Sequence, residues 1–83
     1  MQTDDAVRDG TRAVALAQEA VARTKRQDPN SLDTLAAAYA EAGQFPAAAS
    51  AEKEAMALLP TEAEKENFSQ RLRIYEANRA FHE

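Results

Sequence analysis

The sequence predicts an all-α fold, and three observations carry that expectation. Apolar residues recur at helical spacing along most of the chain. Twenty of the 83 residues are alanine, the strongest helix former. No run of β-branched residues alternates with polar ones, so there is no strand signal. At this length the chain makes one small domain, spanning residues 1–83, with a thin core. Alanine adds little buried area, so close packing of helices around a few larger side chains has to supply cohesion.

Residues 1–9 are polar apart from Ala6 and Val7 and read as a frayed lead-in, with Asp9 or Gly10 opening the first helix. Val14, Leu16, Ala17, Ala20, Val21 and Thr24 then form a one-sided stripe, and the helix is expected to end near Arg26. The cations Arg23, Lys25 and Arg26 suit the negative end of that helix dipole. Asp28 is placed to cap a second helix, with Pro29 in the first turn, where no amide donor is needed. Leu32, Leu35, Ala36 and Tyr39 follow at i, i+3, i+4 and i+7, and Gly43 is suited to a left-handed C-terminal cap. Pro46 opens a third helix that runs to about Leu59, and Pro60 stops it. The short connection requires helices two and three to be antiparallel. Thr61 to Glu64 forms a capping box for a fourth helix reaching about Ala77. Phe68, Leu72 and Tyr75 give its apolar stripe, while Lys65, Glu66, Gln70, Arg71 and Arg73 form a face expected in water.

Net charge is −4, and the pI is about 5.0. An acidic chain repels phosphate backbones, which argues against a nucleic-acid partner. There is no cysteine, so disulfides and thiolate chemistry are excluded. No apolar stretch approaches the roughly 20 residues that span a bilayer. The acidic N-terminus, without a hydrophobic leader, points to a cytoplasmic protein that does not engage membranes.

Catalytic and metal chemistry find little support. His82 is the single histidine and has no second imidazole or cysteine to complete a metal site. Ser31, Ser50 and Ser69 fall on separate helices without a base beside them. Glu62, Glu64 and Glu66 alternate along a helix start, where acids favour the dipole. No glycine-rich phosphate loop is present. The reading is a non-enzyme without cofactor or metal.

Two segments are alike at a spacing of 35: Ala13, Ala20 and Val21 align with Ala48, Ala55 and Met56. Such a period marks stacked helical units. Leu32, Leu35, Ala36, Tyr39, Gly43, Phe45, Ala48, Ala55 and Pro60 stand at the spacing of a tetratricopeptide repeat, which the segment resembles closely. Ala36 replaces the usual glycine, and Leu32 stands where tryptophan is common. Ala51 and Glu52 occupy the middle of the second helix, where the family often has a large apolar residue, so looser packing is expected there. In physical terms, Ala36, Ala48 and Ala55 let helix axes approach while Leu35, Tyr39 and Phe45 fill the space between them.

The resemblance implies an α-α superhelical stack of about four helices. Residues 10–26 would be an orphan second helix, 28–60 a complete repeat, and 61–83 a closing helix and tail like the C-terminus of many bacterial tetratricopeptide proteins. It further implies a scaffold that binds a protein or peptide on a concave face, here Asn30, Asp33, Ala37, Ala40 and Glu41. These residues are small and acidic, and favour a basic or apolar peptide approached through Asp33 and Glu41. One and a half repeats leave the first helix uncovered. The chain is then either the end of a longer array or a homo-oligomer that associates through Val14, Leu16 and Val21.

Overall fold

The computed structural model describes the backbone of residues 2–81 and the side-chain environment of residues 10–78. Four helices follow one another: α1 (Gln2–Arg23), α2 (Pro29–Glu41), α3 (Phe45–Ala57) and α4 (Glu62–Phe81). Each packs on the next in chain order, giving a stack of antiparallel neighbours rather than a closed bundle. The Cα envelope measures 44 × 30 × 15 Å. Its thin dimension fits two layers of helices with axes about 10 Å apart.

The caps anticipated for α2 are formed. The Asp28 carboxylate accepts from the Asn30 amide at 3.1 Å and from the Ser31 hydroxyl at 2.9 Å. At the far end Gly43 takes φ +81°. The Gln44 amide donates to the Tyr39 carbonyl at 2.8 Å, and the Gly43 amide donates to Ala40 at 3.0 Å. That pair of bonds is a Schellman motif, and it reverses the chain into α3 within three residues. The Thr61 hydroxyl accepts from the Glu64 amide at 3.2 Å, which starts α4.

The close approaches are made by alanine. Ala36, Ala48 and Ala55 are fully buried, and Leu32 and Leu35 fill the gaps beside them. Tyr39 is half-buried against the same core, as are Leu58, Leu59 and Leu72. From α4, Phe68 and Tyr75 reach the interior. Burying one side chain the size of Leu32 contributes about 2 kcal/mol, several times the share of an alanine.

The helix boundaries depart from expectation in three places. First, α1 begins at Gln2, so residues 2–9 continue the helix, and Gly10 lies inside it rather than at its start. A Cβ on Gly10 would meet the Ala42 Cα at 2.8 Å and the Ala42 amide nitrogen at 3.0 Å. The glycine is there because the α2–α3 turn crosses α1 at that point. Second, α1 ends at Arg23, not Arg26. The Arg26 amide donates to Val21 and the Lys25 amide to Ala22, both at 3.0 Å, with Lys25 at φ +55° and Arg26 at φ +58°. This is again a Schellman ending, with lysine where glycine would be unstrained. Third, α4 extends past Ala77 to Phe81.

Candidate functional site

Of the five residues anticipated on the concave face, Asn30, Ala37 and Glu41 are exposed, while Asp33 and Ala40 are half-buried. Asn30, Thr34, Ala37 and Glu41 are spaced four, three and four apart and form one open line along α2. Asp33 sits beside that line, but its Oδ1 accepts from Arg71 Nε at 2.8 Å, so its charge is engaged within the chain. Glu41 is left as the open acid of the set.

The N-terminal end of α2 borders a cleft of about 460 Å³, lined by Pro29, Asn30, Leu59, Pro60, Glu64, Asn67 and Phe68. Its floor is apolar and its rim carries two carboxamides and one carboxylate. Sequence reading found Asn30 but missed Glu64 and Asn67. Glu64 was legible only as half of a capping box, and only the packing of α4 against the hairpin sets it opposite Asn30. A second cleft of about 280 Å³ lies among Arg26, Leu35, Tyr39, Ala47, Ser50, Ala51 and Glu54. Its rim is an ion pair in which Arg26 Nε and Nη2 each donate to Glu54 at 2.6 Å. The bond to Arg26 holds the Glu54 carboxyl below the usual carboxylate range, and the same bond raises Arg26.

The proposed association edge divides. Leu16 is 62% exposed, Val14 is half-buried, and Val21 is 1% exposed. Val21 is therefore a core residue, since its position in the last turn of α1 turns it onto α2. It offers no outer surface.

The sequence predicts looser packing of α3 where Ala51 and Glu52 stand. Glu52 is instead fully enclosed, the one buried charged residue among those described. Its aliphatic stem fills the position, so α3 packs closely there, and its carboxylate lies among groups from the neighbouring helices. Arg71 Nε is 3.6 Å from Glu52 Oε2, too long for a hydrogen bond. Neither Glu52 oxygen has a hydrogen-bond partner among the described residues. Burial pushes the Glu52 carboxyl up to about 8, and Asp33 beside it pushes the same way, while Arg71 opposes. Arg71 lies 4.9 Å over the Phe68 ring. Burial works against the Arg71 charge, yet Asp33 and Glu52 outweigh it and raise the group. Tyr75 is raised by burial and by the two carboxylates. Arg71, expected on the solvent face of α4, is thus half-buried: its guanidinium lies over the Phe68 ring and turns inward to Asp33.

Among the described residues no group of three or more His, Asp or Glu could hold a metal ion. No helix among them is long and apolar enough to cross a membrane. His82 lies outside the described residues. Comparison with family models, with curated proteins and with solved structures returns no match.

Proposed function

We propose that this chain is a protein–protein interaction module of the tetratricopeptide type, and that it takes an extended peptide across the α2–α4 side. The observation that carries this reading is the cleft between α2 and α4, which is continuous with the open line of α2 at Asn30. Pro29, Leu59, Pro60 and Phe68 offer an apolar seat for one side chain. Carboxamides such as Asn30 and Asn67 can donate to and accept from a peptide backbone at once. Glu64 in the cleft and Glu41 further along α2 favour a lysine or arginine beside the apolar anchor. The peptide is therefore one that pairs a basic residue with an apolar one.

The test is amide NMR of the full chain, titrated with a panel of peptides that pair Lys or Arg with Leu or Phe. Shifts are expected at Asn30, Glu64, Asn67 and Phe68 and not on α1. The Glu64→Lys variant should bind at least several-fold more weakly, and added salt should weaken the native complex. Shifts scattered over α1, or equal affinity for Glu64→Lys, would overturn the reading.

Self-association through α1 is a second reading, favoured by the exposure of Leu16 beside Ala15 and Ala20. It predicts a dimer or larger species in sedimentation at micromolar concentration, reduced to monomer by Leu16→Glu.

A further inference from the structure

We propose that Asp33, Glu52 and Arg71 form a one-proton latch that fastens α4 to the α2–α3 hairpin: Glu52 carries a proton that it donates to Asp33, and loss of that proton loosens α4. The charges make the case first. Two carboxylates share one guanidinium, and Arg71 gives its Nε–H to Asp33 at 2.8 Å while standing 3.6 Å from Glu52. With both acids ionised, Glu52 is an enclosed charge with no hydrogen-bond donor on either oxygen. That is the costly state of a buried carboxylate. Between two bare carboxylates there is no hydrogen to share. One proton on Glu52 supplies it, and Asp33, which meets the same Arg71 Nε, is the carboxylate that would receive it. The cluster is then neutral as a whole, with Asp33 held from both sides. Deprotonation breaks the Glu52 O–H bond, releases the proton to water and leaves one uncompensated negative charge inside.

The groups facing Glu52 come from both neighbouring helices: Asp33 from α2, and Arg71 and Tyr75 from α4. Among the described residues no second cation shares in neutralising the pair: Lys53, next to Glu52 in sequence, turns outward to Glu76 at 3.6 Å. The helix that yields is α4. The α2–α3 hairpin is closed by a three-residue turn and by the fully buried Ala36, Ala48 and Ala55. By contrast, α4 is held at this point by Phe68, Arg71 and Tyr75, all of which surround or border the cluster. A small outward shift of α4 lets water reach Glu52. The latch stands apart from the peptide reading, although α4 also forms one wall of the proposed cleft.

The test is a side-chain carboxyl 13C titration of the full chain from pH 3 to 10, with amide hydrogen-exchange protection factors for α4 and α2 at pH 6 and pH 9. The Glu52 carboxyl is expected to titrate several pH units above the ordinary glutamate value of 4.5. The protection of α4 is expected to fall about tenfold relative to α2 between the two pH values, and Glu52→Gln should keep that ratio constant. Asp33→Asn should move the Glu52 midpoint downward, because the neighbouring charge is gone and Arg71 is freed to pair with Glu52; a carboxyl raised by burial alone would stay where it was. Titration of Glu52 near its ordinary value of 4.5, or α4 protection that follows α2 across the range, would overturn the latch. If Glu52→Gln does not fold, the native-chain titration and exchange decide the matter alone.

Discussion

At the scale of single residues, one buried acid sets an unusual pH dependence. The ordinary value of the Glu52 carboxyl is 4.5, and in the fold it is pushed up to about 8. Between those values the folded chain holds one more proton than the unfolded chain. The Glu52 contribution to stability is therefore fully present below 4.5, declines as pH rises, and is lost above 8. The slope is at most about 1.4 kcal/mol per pH unit. Glu54 acts with the opposite sign, because Arg26 lowers it in the fold, so its contribution is lost as the solution becomes more acid. Urea midpoints are expected to peak on the acid side, near pH 5, and to fall at pH 7 and again at pH 9, with the fall abolished in Glu52→Gln. Arg71→Met should cost about 2 kcal/mol, less than for a fully buried partner because the Arg71 side chain is 40% exposed. Urea denaturation at pH 7 measures it. Gly10→Ala places a methyl group against the Ala42 backbone and should cost about 1–3 kcal/mol in the same assay.

At the scale of helices and turns, two similar endings use different residues. The α2 ending has glycine at its left-handed position, and the α1 ending has Lys25 there, followed by Arg26 in the same region. A left-handed non-glycine residue costs about 1 kcal/mol or more. The strain at Arg26 is offset by its two bonds to Glu54, which tie the end of α1 to α3. Nothing comparable holds Lys25, which is exposed. Lys25→Gly is therefore expected to raise stability by about 0.5–1 kcal/mol, and Gly43→Ala to lower it by about 1 kcal/mol, both read from thermal midpoints. The capping residues Asp28, Gly43 and Thr61 were legible in the sequence, because a cap is a matter of local spacing. The start and end of α1 were not. A Gly10 inside a helix is explained only by the turn that crosses it, and the left-handed Lys25 carries no sequence signal.

At the scale of the whole molecule, each helix meets its chain neighbours, so the two outer helices keep one face free. Leu16 on α1 and Ile74 on α4, at 62% and 57% exposure, are the exposed large apolar residues of the described chain. They lie on the two opposite ends of the stack. Added chains or further repeats would meet the molecule there, while a peptide would meet it across the α2–α4 side. The two readings are therefore separable by surface: Leu16→Glu should change the sedimentation behaviour and leave peptide shifts at Asn67 unaltered. Asn30, Ala37 and Glu41 are open, as a helical wheel of α2 requires, but Asp33 was spent on a partner 38 residues away, which no local pattern reveals.

The sequence by itself determined that there are four helices, the caps of α2, the start of α4, and the alanine positions that let the helices touch, because these follow from spacing within one turn or one helix. Only tertiary structure decided what surrounds Glu52. A glutamate in the middle of an amphipathic helix is ordinarily a solvated residue. Here α2 and α4 close over it from both sides, and the low polarisability of that enclosure, with a second carboxylate in it, turns a common surface residue into a group that holds its proton.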